Sequence, residues 1–214
     1  MELPIFSHRS GKSYQKYFEL DEIEGFPLEV RDLGKLALPS QRAIVGDPFG
    51  QRIQAPLAGE VPNAEKSPIE LCLVHADGAA HPAMIRWKFE AKPAAEWFLA
   101  VSEDVPDEDV IALQENEYIG TECPSGWVLL GDADIYQEYL LQASPLMGKK
   151  PETLLNEARE DQNTPQWATV PVGDNQAVVA VDGNWEGGLF PTYWGIGENK
   201  QIVELVIDLF VIGV

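Results

Sequence analysis

The sequence predicts a mainly β chain of the α+β class, with antiparallel sheets forming a sandwich or half-barrel and two or three packed helices. Three observations predict it. Short apolar stretches with strand-like alternation recur along the chain, and turn formers such as Pro39-Ser40 and Asp77-Gly78 separate them. Helical spacing of apolar residues is confined to a few short segments. No internal repeat, low-complexity tract or clean boundary interrupts residues 1–214, which read as a single domain.

In chain order, residues 13–20 (SYQKYFEL) form a weak helical candidate. Residues 33–49 (LGKLALPSQRAIVGDPF) predict two short strands about the Pro39-Ser40 turn, the second broken by Asp47-Pro48. Residues 69–74 (IELCLV) and 84–90 (MIRWKFE) are strands joined through Asp77-Gly78; Ile85, Trp87 and Phe89 face one way and Arg86, Lys88 and Glu90 the other. Residues 103–109 (EDVPDED) read as an acidic turn.

Two helices follow. In residues 133–143, Ile135, Tyr136, Tyr139, Leu140 and Ala143 share a face, with either Asp134 (paired with Gln137) or Asp132 as the cap. In residues 151–161, Pro151 suits a first helical position ahead of Leu154, Leu155 and Ala158. The polar segment 144–168 reads as a connector. The last third reads as a meander: strands at 176–181 and 192–196, the latter entered through Pro191, and a β-branched central strand at 201–212.

Composition narrows function. The chain carries 35 Asp and Glu against 15 Lys and Arg, a formal net charge of −20. That balance disfavours nucleic acid and anionic membranes and favours a basic partner, although an acidic surface also serves solubility alone. No signal peptide is read at the N-terminus and no run of about 18 apolar residues occurs, so a cytoplasmic protein is expected. Cys72 and Cys123 suit buried thiols, and a single disulfide stays open.

The chemistry-bearing residues form no standard pattern. His75 and His81 flank a turn with Cys72 as the nearest further ligand, but the spacing fits no usual zinc site, so no metal and no cofactor is expected. Nucleophile elbow, phosphate loop and H-E-x-x-H helix are all missing from the sequence. Glu204 and Asp208 share a strand face with Val206 between them, their Cα atoms roughly 13 Å apart, too wide for a paired-carboxylate dyad. Each therefore needs a partner or solvent. The glycine-rich stretch 183–195 (GNWEGGLFPTYWG) places Trp185 and Glu186 on a sharp turn, where Trp185 either reaches a partner or folds back on the core. Tyr193 and Trp194 point to opposite faces, with Trp194 expected inside.

Residues 33–49 and 183–212 carry a family likeness. The Leu38-Pro39-Ser40 turn followed by Asp47-Pro48, and the element Gly188, Pro191, Tyr193, Trp194, Gly195 followed by Asp208, resemble a bacterial family known as domain of unknown function 4241. The likeness covers about residues 30–214, leaving residues 1–29 as an N-terminal extension, and the middle is looser. Gly120-Thr121-Glu122 departs from the family's usual G-T-G. The resemblance implies one continuous domain and supplies no reaction.

The function expected is a non-enzymatic acidic protein-binding domain, such as an immunity or antitoxin protein that neutralises a basic toxin in interbacterial competition. Its candidate binding residues are Trp185, Glu186, Tyr193, Asp208 and Asp47; no catalytic residue is assigned. The alternative is a hydrolase-like enzyme with a scattered carboxylate site drawn from Asp47, Glu186, Asp208 and Tyr193.

Overall fold

The computed structural model describes residues 8–50, 54–62, 65–114, 117–144, 150–158, 167–173, 176–183 and 187–210. Among them run thirteen strands: β1 (Arg9–Ser10), β2 (Glu22–Ile23), β3 (Phe26–Leu36), β4 (Ala43–Gly46), β5 (Ser67–Ala76), β6 (Ala79–Lys88), β7 (Glu96–Ala100), β8 (Gly120–Cys123), β9 (Trp127–Asp132), β10 (Trp167–Val172), β11 (Gln176–Asp182), β12 (Gly188–Ile196) and β13 (Ile202–Asp208). The helices are α1 (Asp107–Ile111), α2 (Ala133–Gln142) and α3 (Pro151–Ala158), with a 3-10 turn at Gln15–Phe18.

The strands build two antiparallel sheets. The larger, nine-stranded one runs β1-β7-β12-β13-β6-β5-β3-β2, with β8 on β12; the smaller runs β10-β11-β9-β4. Their facing surfaces interdigitate in one core, where Val45, Leu130 and Val179 of the small sheet meet Leu71, Trp87, Trp194 and Leu205 of the large one. The expected sandwich is therefore the fold.

Each sheet is also covered on its outer face. Ile44, Leu129, Val170 and Val178 of the small sheet bury against Ile135, Tyr136, Tyr139, Leu154 and Leu155 of α2 and α3. On the large sheet, Cys72, Met84, Trp97 and Val206 lie beneath Tyr14, Tyr17, Phe18 and Ile23. Residues 8–23 thus strap the sheet, beginning on its β7 edge and ending on its β3 edge.

Local chemistry explains the elements. Asp77 and Gly78 both take positive φ, 52° and 79°, as the tight β5–β6 hairpin requires. Asp132 caps α2, its Oδ1 accepting from the amides of Asp134 and Ile135 at 2.9 and 3.3 Å, which settles the cap on Asp132. Its Oδ2 accepts from the amide and hydroxyl of Ser40 at 2.8 and 2.7 Å, so the Pro39-Ser40 turn is pinned to the helix start.

Three expectations are corrected. Residues 103–109 are not wholly turn: α1 begins at Asp107, and Asp107, Glu108 and Asp109 in its first turn suit the positive end of its dipole. Pro191 lies inside β12 rather than at its start. It is tolerated because it marks a change of partner: β8 pairs through Pro191, whereas β7 and β13 pair from Thr192 onward. The connector ends before Trp167, where β10 starts. Cys72 and Cys123 are buried and unpaired.

Candidate functional site

Of the five candidate binding residues, Trp185 and Glu186 lie outside the described residues. Their described flanks rest on the turn between β8 and β9: the Gly183 amide donates to the Gly126 carbonyl at 3.0 Å, and Gly187, at φ 124°, approaches Pro124 so closely that an added Cβ would stand 2.5 Å from its carbonyl oxygen.

Asp47 holds the same turn. It is 3% exposed, with Oδ1 accepting from the Phe49 amide and Oδ2 from the Ser125 amide, both at 2.8 Å. The Tyr139 hydroxyl donates to the Pro48 carbonyl beside it at 3.1 Å. Burial, with Asp47 adding to it, pushes the Tyr136 hydroxyl up to about 12. Asp47 is thus a clamp that ties the end of β4 to the β8–β9 turn.

Tyr193 and Asp208 lie on the outer face of the large sheet, beneath the strap. The Tyr193 ring stacks on Tyr14 with centroids 4.6 Å apart, and Tyr14 meets Trp97 edge-on at 5.1 Å. Asp208 accepts from the Phe210 amide at 2.9 Å. Burial raises its pKa, and that bond and the Lys12 charge only partly oppose the rise. A groove of about 800 Å³ opens here, lined by Arg9 and Lys12 of the strap and by Trp97, Tyr118, Tyr193 and Phe210.

Next along this face is an ion network that the sequence reading missed. Arg86 donates to Glu70 Oε2 through Nε at 2.8 Å, and its Nη1 stands 3.9 Å from Glu204 Oε2. Phe18 lies over the guanidinium, 4.1 Å from ring centroid to Cζ. Glu204 also accepts from the Ala94 amide at 3.1 Å. Desolvation raises the Glu204 pKa despite Arg86 and that amide. The sequence placed Arg86 and Glu204 on strand faces, but only the β13–β6–β5 order puts them in one row. Each buried carboxylate in the last strand has the partner it needs.

The family-like motif is explained by this packing. Trp194 is 1% exposed and its Nε1 donates to the Ala58 carbonyl at 2.9 Å, so it belongs to the core as expected. Gly195 leaves room for Glu204: an added Cβ would stand 2.6 Å from Glu204 Cγ. Gly120 is equally constrained, at 2.9 Å from the Leu189–Phe190 backbone, whereas Glu122, the departure from G-T-G, is exposed.

The candidate residues therefore fall into two places. Asp47 belongs to the helix side of the small sheet, and Tyr193 with Asp208 to the strap side of the large one. Cys72 and Cys123 are held as thiols by burial, Cys72 pushed up to about 12. Among the described residues no three His, Cys, Asp or Glu side chains converge as metal ligands. His75 pairs with Glu29 at 2.9 Å in the open. No described helix is long and apolar enough to cross a membrane.

A family model described as "Protein of unknown function (DUF4241)" matches residues 36–207, and the chain belongs to that family. No curated protein and no solved structure matches it.

Proposed function

We propose that this member of the family is a non-enzymatic binding domain that recognises a cationic protein, as an immunity or antitoxin protein does when it neutralises a basic toxin inside the cell. One observation carries the reading. The carboxylates and thiols buried in the fold are consumed by it, while the surplus acid lies outside. Asp47, Asp132, Glu204 and Asp208 each accept from main-chain amides, and Glu204 also faces Arg86. Glu103, Asp104, Asp107, Glu108, Asp109 and Glu122 are exposed around α1 and β8.

An acidic surface of this kind speeds encounter with a basic partner and rejects acidic ones. The hydrolase alternative draws less support. Asp47 has both oxygens engaged and belongs to a different layer from Tyr193 and Asp208, so the three described members of that set share no cavity among the described residues.

The test is co-purification with the product of the adjacent gene, followed by association rates at increasing salt. The expected result is a complex whose association rate falls at least tenfold between about 20 and about 500 mM salt. A complex formed at a salt-independent rate, or the lack of any complex with a cationic protein, overturns the reading.

A further inference from the structure

We propose that the cleft between the start of α2, the segment 54–57 and residues 102–105 ahead of α1 is a guanidinium site that receives an arginine side chain of the partner; this rests on the reading just given and names its anchor. Two adjacent hollows, of about 250 and about 310 Å³, meet at Gln54, Ala55 and Asp104. They differ from the other hollows in what lies at the bottom.

The Tyr136 hydroxyl, on a residue 0% exposed, has no hydrogen-bond partner among the described residues. Gln54 Oε1 is buried and equally unpartnered. The two atoms crowd the same spot: a Cβ built on Gly46 would stand 2.2 Å from Gln54 Oε1 and 3.5 Å from the Tyr136 hydroxyl oxygen. Leaving such atoms unpaired destabilises the fold, and an incoming donor relieves that cost.

The cleft asks for donors and positive charge. Gln54 Oε1 can only accept, and the Tyr136 oxygen has lone pairs free. Asp104 stands where the two hollows join, and Glu122 lines one of them. Arg42 lines the smaller hollow, but its guanidinium is bound to Glu103. A ligand that satisfies a neutral oxygen at the floor and a carboxylate at the mouth must present several N–H groups in different directions. Guanidinium does so with five planar donors; a lysine ammonium offers three donors on a compact, strongly hydrated charge.

The experiment titrates the whole isotope-labelled chain with N-acetyl-L-arginine amide, and separately with its lysine and citrulline counterparts, by NMR. Saturable shifts are expected at the amides of Ala55, Ser102, Asp104 and Gln137 with the arginine probe. Binding should be several-fold weaker with lysine and undetectable with uncharged citrulline. Tyr136→Phe and Asp104→Asn each weaken the arginine probe roughly tenfold. Glu198→Gln, in the exposed β12–β13 turn and outside both hollows, leaves its affinity unchanged.

Non-saturating shifts spread over the acidic surface, or equal binding of the arginine and lysine probes, overturn the proposal. So does unchanged affinity in a folded Tyr136→Phe. The two readings fail separately. Arginine-probe binding without any cationic protein partner leaves the guanidinium site standing and removes the partner. A cationic protein that binds both variants as tightly as the native chain leaves the partner and removes the site.

Discussion

At the scale of single residues, Gly195 and Asp208 show how the family-like motif maintains the outer sheet face. Gly195→Ala places a Cβ 2.6 Å from Glu204 Cγ and 2.8 Å from Ala94 Cβ. We expect a loss of about 1–3 kcal/mol in urea unfolding, with the Glu204–Ala94 bond displaced. Asp208 gives a pH signature. Its folded pKa is raised by burial, so between the unfolded value of about 3.9 and the folded value the native chain holds a proton that the unfolded chain has released. Stability from this group is full below about pH 3.9 and is lost as pH rises through the folded value. Asp208→Asn keeps the Oδ1 acceptor for Phe210 and abolishes the titration. Its stability relative to the native chain should therefore increase from about pH 3 to about pH 7; a flat difference in urea midpoints across that range refutes the assignment. Asp132 differs because it serves two elements at once. Asp132→Ala removes both the α2 cap and the Ser40 bonds, so it should cost about 2 kcal/mol or more, exceeding Ser40→Ala.

At the scale of elements, the strap over the large sheet makes its own prediction. Tyr14, Tyr17 and Phe18 cover Cys72, whereas Cys123 belongs to the inner core. Tyr14→Ala combined with Phe18→Ala should raise the native-state alkylation rate of Cys72 and leave Cys123 protected, read by mass spectrometry of the labelled peptides. Equal labelling of both thiols would mean global loosening instead. The elements also show what the sequence could reveal. The β5–β6 hairpin, β11, β13 and both longer helices were legible because alternation, β-branched content, caps and turn residues all agreed there. β9 escaped because Trp127–Asp132 is buried at every position, packed by helices on one face and by the large sheet on the other, and alternation vanishes from such a strand. β3 was caught only at its C-terminal end: its charges, half-buried Glu29 and exposed Arg31 and Asp32, sit near the rim of the sheet and mask the period. The Arg86 network was illegible for another reason. Its members are 16 and 118 positions apart from Arg86 in sequence, and only strand order makes them neighbours.

At the scale of the whole molecule, charge dominates. A formal charge of −20 on 214 residues means self-repulsion in the native state, which salt screens. The melting temperature should rise by several degrees between about 10 and about 200 mM sodium chloride, measured by calorimetry on the isolated chain. No rise would mean that the acids are already balanced locally. The same molecule-wide view gives the strap a second meaning. Its two ends pair with β7 and β3, the strands that would otherwise finish the large sheet on opposite sides. One short segment thereby pairs with two residues on each rim, so whatever lifts it bares further backbone on both borders at once. Two different borders on one body join head to tail without closing, and the outcome of such a release is a growing filament rather than a dimer.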